Sequence, residues 1–298
     1  MTNENEISVG FTTISERISE FHRFSQVFFQ RTLVLLGLVV IVAALLIAIF
    51  APYVAPYDPY SQDLNQTLLS PSWEHPLGTD GVGRDTLSRT IFGARTSLIV
   101  GLGAVAIGTL IGYAMGLLAG YFGGTTYAVI MRITDTLMAF PNILLALTIA
   151  GLLGGGIRNI VVALGVALVP SFARFMCGQV LSARENDYIV SARSIGASNL
   201  RIMLCHVVPN CFPPLIVQMT LWMGHAILSE AGLSFLGIGI EPPGAAWGAM
   251  VSDGYQHLLS RPMLSFGPGL AIMLVVFAFN MVGDGLRDAL DPRLRGTL

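Results

Sequence analysis

Thr32 to Phe50 is a run of 19 residues without a charge, and five further apolar windows follow it. A bilayer core about 30 Å thick needs roughly 20 apolar residues in a helix, so each window predicts a crossing. Thr96 to Gly120 is likewise uncharged. The third window, Tyr127 to Leu153, carries Arg132 and Asp135 near its start, and the fourth, Ile157 to Arg174, contains Pro170 as an expected kink. Pro214 to Leu236 and Pro268 to Val282 complete the set. Only 11% of the residues are charged, against about 25% in soluble domains. The expectation is an all-α polytopic membrane protein with six transmembrane helices.

Arginine distribution orients the spans. With the N-terminus in the cytosol, 11 arginines fall inside and five (Arg84, Arg89, Arg95, Arg158 and Arg261) outside, which predicts both termini in the cytosol. Residues 1–31 then form a cytosolic segment. Its glutamates, Glu4, Glu6, Glu16 and Glu20, do not suit the basic start of a cleaved signal peptide, and its spaced phenylalanines suit an amphipathic surface helix. Residues 32–94 comprise the first span and an external stretch rich in proline, residues 95–288 a core of five spans, and residues 289–298 a cytosolic tail. In the second span, Gly108, Gly112, Gly116 and Gly120 recur every four residues, a stripe suited to close helix packing.

Several chemistries are excluded or disfavoured. All 16 basic residues are arginine, so no GxxxxGK[ST] loop can exist and the chain holds no ATPase site of that type. A net charge of -2 argues against a nucleic-acid partner. Cys177, Cys205 and Cys211 lack CxxC spacing, the histidines form no HxxxH pair, and no metal or cofactor site is assigned. His225 and Ser229 share a helix face, yet no G-x-S-x-G elbow accompanies them and no catalytic residue follows; Ser229 is expected to bond back to a carbonyl.

Glu185 to Asn210 stands out as a polar interruption on the inner side. Asn186 or Asp187 can cap one short helix, Gly196 can end it, and Ser198 can cap a second running towards Pro209. Tyr188, Ile189, Val190, Ser191, Ala192, Arg193, Ser194, Ile195, Gly196, Ala197 and Ser198, followed by Pro209, resemble the E-A-A loop of membrane subunits of bacterial ABC importers. Ala192, Gly196 and Pro209 fit that pattern. Val190 stands where the family has glutamate, Ser191 where it has the first alanine, and His206 and Val208 where it has isoleucine and leucine.

Three more stretches resemble the C-type permease of peptide and nickel importers. They are Leu77-Gly78-Thr79-Asp80 with Gly83-Arg84-Asp85 and Ser88-Arg89, then Glu230 to Gly239 with Pro242-Pro243 and Trp247-Gly248, and finally Phe279-Asn280 with Gly283 to Pro292. The resemblance implies a type I ABC importer permease fold. It also implies a homologous second permease, two ATP-binding subunits that carry ATP and Mg, an external substrate-binding protein, and docking of the ATPase on Tyr188 to Ser198. Relatives handle dipeptides, oligopeptides, glutathione or nickel chelates, with peptide favoured.

Polar residues in or near the spans leave alternatives open. Glu230 lies 16 residues into the fifth window, about 24 Å from its start. It is either a pathway residue meeting a substrate amine or a structural acceptor bonded to backbone groups or an arginine. Arg132 and Asp135, three apart, are expected to neutralise each other. Asp80, Arg84, Asp85 and Arg89 are expected either to form a network holding the external loop, the preferred reading because exposed pairs are individually weak, or to receive a binding protein. The rival readings are an autonomous secondary transporter, which needs ionisable groups near the midplane, and an intramembrane hydrolase.

Overall fold

The computed structural model describes residues 28–290, so the expected amphipathic helix before residue 28 and most of the C-terminal tail lie outside the described residues. Helix α1 (Thr32–Val54) leads through a proline-rich loop to α2 (Thr86–Phe122). Helix α2 starts ten residues before the apolar window does. Asp85 caps it, accepting from the Ser88 N–H at 2.7 Å, so the polar residues after Thr86 join the helix instead of the loop.

The third window is not one straight crossing. It forms α3 (Gly124–Met138) and α4 (Asn142–Leu153), bent by 87° at the break between them. Pro141 is the cause: its ring disfavours helical backbone at Phe140, and it has no N–H to continue the ladder. Five helices in the described chain are long and apolar enough to cross a membrane, and the bent pair makes a sixth if it counts as one span.

Helix α5 (Ile157–Arg184) passes through Pro170 and extends ten residues beyond its apolar window. Helix α6 (Asp187–Ser194) is separate and short. Next come α7 (Asn199–Ile202), a π-helical turn (Met203–Val207) and α8 (Val208–Phe235), which form one rod of 37 residues. The expected second short helix is therefore the start of the fifth span. It does not end at Pro209 because the π turn sets the Val208 N–H on the Met203 carbonyl, widening the ladder where proline removes a donor. Helices α9 (Trp247–Tyr255) and α10 (Met263–Leu290) end the described chain.

The glycine stripe forms the tightest seam. A Cβ at Gly108 would lie 2.7 Å from Leu168 Cβ, and one at Gly120 would lie 2.8 Å from Val180 Cβ. Residues 108 to 120 thus lie directly on α5, as expected for small residues between spans. Helix α1 closes the other side: Gly37 meets the Ala278 carbonyl of α10, and Arg31 pairs with Asp288 at 2.6 Å. The start of α1 and the end of α10 therefore share one end of the bundle. The segment between α5 and α8 sits at that same end, because Arg184 donates to the Gly120 carbonyl at 2.7 Å and Tyr121 donates to Asn199 Oδ1 at 2.9 Å. The proline-rich loop and the α8–α10 connection occupy the opposite end.

Candidate functional site

The elbow between α5 and α8 is a rigid bend. Gly196 has φ +83°, a backbone conformation that glycine adopts without penalty. Its N–H bonds Arg193 O at 3.0 Å while the Ala197 N–H bonds Ala192 O at 3.1 Å, the paired closure of a Schellman motif. Ser198 caps the next turn, accepting from the Arg201 N–H at 3.4 Å. Asn186 occupies the cap position of α6, but its side chain does not cap; it donates back to the Ala183 carbonyl at 3.0 Å.

The elbow has two faces. Ile189 and Ala192 are buried with Ile202 and Val207 against Met176, Val180 and Tyr121, so the bend is packed onto the ends of α2 and α5. Tyr188, Val190, Ser191, Arg193, Gly196 and Ser198 are exposed, and Ala197 is half-buried. Ile195 is 85% exposed and Leu200 64%, giving an apolar surface pointing away from the bundle. Val190, at the family's glutamate position, belongs to that surface.

At the opposite end the first two motif stretches meet. Asp80 takes Arg84 Nε at 2.6 Å and lies 3.6 Å from Arg89 Nε. Asp85 accepts from Ser88 and pairs with His75 at 2.9 Å, and His75 reaches Gln66 at 3.1 Å. Arg89 donates to Pro59 O at 2.9 Å and to Pro243 O and Gly244 O at 3.3 Å. The expected loop network is present, and it extends to the 242–244 turn, a link that sequence spacing does not reveal. Trp247 strengthens it by donating from Nε1 to the Thr90 carbonyl at 2.8 Å, with its ring against Gly93. Asp253 lines the adjacent cavity with Arg84 and Arg89; burial pushes its carboxyl up, opposed by those two arginines.

Glu230 is fully buried between α8 and α2, with Ser97 donating at 3.0 Å and Ser234 at 2.8 Å. Its partners are two serine hydroxyls, in place of the backbone group or arginine expected. Asp135 also differs from expectation: it pairs with Arg174 of α5, not with Arg132. The bend at Pro141 keeps α3 short and sets it beside α5, where an interhelical partner is available. Ser229 makes no hydrogen bond within the described residues, so the expected back-bond is absent there.

Residues 108–296 match the family described as binding-protein-dependent transport system inner membrane component, and residues 19–71 match the N-terminal TM domain of oligopeptide transport permease C. The dipeptide transport system permease protein DppC of Alkalihalophilus pseudofirmus is 44% identical over 266 residues, 89% of this chain and 88% of that one. The di/tripeptide transport system permease protein DppC of Pseudomonas aeruginosa is 42% identical, covering 93% of both chains. The glutathione transport system permease protein GsiD of Escherichia coli is 42% identical, covering 93% of this chain and 91% of its own. Among solved structures, the inward-facing MetNI methionine ABC transporter aligns with a TM-score of 0.54 at 17% identity, over 68% of this chain and 97% of that one. That likeness bears on fold alone and agrees with a type I permease. The chain belongs to the family of binding-protein-dependent transport system inner membrane components.

Proposed function

We propose that this chain is the membrane-spanning permease subunit of an ATP-driven peptide importer, with both termini and the elbow in the cytosol. It forms half of a translocation pathway with a homologous second permease. Two ATP-binding subunits hold ATP and Mg, and an external binding protein delivers di- or oligopeptides. The observation that carries this reading is the elbow: a Schellman-closed bend packed onto α2 and α5 through Ile189, Ala192 and Ile202, with Val190, Ile195 and Leu200 exposed. A surface anchored so firmly transmits a push or pull to the spans without deforming. ATP binding closes the ATPases, draws the paired elbows together and turns the pathway outward, and hydrolysis resets it; differential contacts in the two states provide the coupling. Glu230, locked by Ser97 and Ser234, ties α8 to α2 so that the two move as one body.

The peptide substrate is supported by the names of the DppC relatives. A glutathione substrate, itself a tripeptide derivative, is supported by the equally similar GsiD relative. The experiment is uptake of labelled dialanine and labelled glutathione by cells with and without the ATPase partner, the proton gradient being held constant. Uptake that stops without the ATPase is the expected result, and the ligand taken up decides the substrate. Uptake that persists overturns the proposal in favour of an autonomous transporter.

A further inference from the structure

Helix α8 carries Gln218, Trp222, His225 and Ser229 at steps of four, three and four residues, which places them on one face. His225 lies ten residues before Phe235, the last residue of α8. That is about 15 Å along the helix, half the thickness of a bilayer core of about 30 Å. It is exposed at that depth, and Gln218, Trp222 and Ser229 are partly exposed. The Trp222 ring stacks at an angle on His225, 5.1 Å between centroids, and leans on Phe172 at 6.1 Å. The side chains of Gln218, His225 and Ser229 have no hydrogen-bond partner within the described residues.

The same face opens into a groove. Trp222, His225 and Ser229, with Leu164 and Leu168 of α5 and Asn142 at the Pro141 break, enclose a cavity of about 280 Å³. Elsewhere the pattern is the reverse: mid-helix α1 exposes Val39, Val42, Leu45 and Leu46, side chains that hydrocarbon satisfies. Hydrocarbon offers imidazole, carboxamide and hydroxyl groups nothing to bond, so a polar face at this depth meets water or protein. Glu230 is turned away from this face into the α2 contact.

We propose that the Gln218–Trp222–His225–Ser229 face is this chain's wall of an aqueous solute passage, and that it takes a short zwitterionic peptide. The Trp222 ring receives the ammonium group, and Gln218, His225, Ser229 and Asn142 exchange hydrogen bonds with the peptide groups. The break at Pro141 serves the same purpose, since it brings the polar start of α4 to the groove. This inference rests on the importer reading above.

The test uses the assembled transporter in membranes, with Cys177, Cys205 and Cys211 replaced. Single cysteines are placed by Gln218→Cys, His225→Cys and Ser229→Cys, and by Val42→Cys as the hydrocarbon-facing comparison. A charged, membrane-impermeant methanethiosulfonate is added with and without dialanine, and both thiol modification and dialanine uptake are measured. The α8 thiols are expected to react on the order of 100-fold faster than Val42→Cys, because hydrocarbon excludes the charged reagent. Dialanine is expected to slow that reaction. If one α8 variant fails to assemble, the other two report on the same face. Reaction as slow as that of Val42→Cys overturns the inference even where dialanine uptake is intact. Fast reaction that dialanine leaves unchanged overturns the peptide contact. Fast reaction in a transporter that takes up no dialanine overturns the substrate in the importer reading and leaves the aqueous wall standing.

Discussion

The α2–α5 seam permits a quantitative test of how little space the glycine stripe leaves. In Gly112→Ala the new Cβ would sit 2.6 Å from the Val169 carbonyl oxygen, 2.6 Å from Phe172 Cβ and 2.9 Å from the Ala173 nitrogen. A carbon to carbonyl-oxygen contact is comfortable at about 3.3–3.6 Å, so the helices must separate by roughly 0.7 Å or more. Two of the three neighbours are backbone and cannot rotate aside. Overpacking of this kind costs about 1–3 kcal/mol, while glycine to alanine in a helix gains about 1 kcal/mol. Gly178→Ala on α5 isolates the gain, because a Cβ there meets nothing within 4 Å. The two variants are expected to differ by about 2 kcal/mol, a gap of about 3 °C in melting temperature at about 2.1 cal/mol/K of unfolding entropy per residue. The assay is thermal unfolding of the purified chain in one detergent, read by tryptophan fluorescence. Equal shifts in the two variants would refute the close approach of α2 and α5.

Other outcomes follow from the same contacts. Asp85→Ala removes the α2 cap and the His75 partner and is expected to cost at least about 1–2 kcal/mol; an unchanged melting temperature would count against the loop network. Glu230→Leu leaves the Ser97 and Ser234 hydroxyls buried without their acceptor, a loss of about 1–3 kcal/mol, whereas Glu230→Gln keeps an acceptor oxygen and should lose less in the same melting assay. Ile189→Ala empties a side chain that is 1% exposed and is expected to cost about 2–5 kcal/mol, seen as faster proteolysis at the elbow; Val190→Ala, on the exposed face, should cleave at the wild-type rate. Asp253 carries a carboxyl pushed up by burial, with Arg84 and Arg89 opposing. The folded chain therefore holds that proton more readily than the unfolded one, and the contribution of the charged form turns against folding as pH rises through the folded value. Asp253→Asn should melt like the wild type in acid and higher near neutrality; a lower melting temperature at neutral pH would reverse the sign.

How much of this was legible beforehand depended on the range of the physics involved. The apolar windows, the Ser198 cap, the Gly196 terminator and the glycine stripe are local, and residues within a few positions of each other are enough to read them. The elbow's bend was readable for that reason. Its continuation into α8 was not, because whether Pro209 ends a helix depends on a π turn that the packing of Val207 and Ile202 stabilises. The third window gave no sign of its 87° bend, because hydropathy counts apolar residues without weighing the backbone restriction that Pro141 places on Phe140.

Composition and hydropathy by themselves determined that this chain is a helical membrane protein and that it contains no GxxxxGK[ST] loop, since burying backbone in a bilayer leaves few alternatives and a missing lysine is missing in any fold. Tertiary structure alone decided which polar groups meet. Asp135 chose Arg174 over Arg132, Glu230 found Ser97 across 133 residues of chain, and Arg89 reached the carbonyls of Pro243 and Gly244. Ion pairs and buried hydrogen bonds are short-ranged and directional, so they go to whichever partner the packed helices bring within about 3 Å, and sequence distance has no bearing on that.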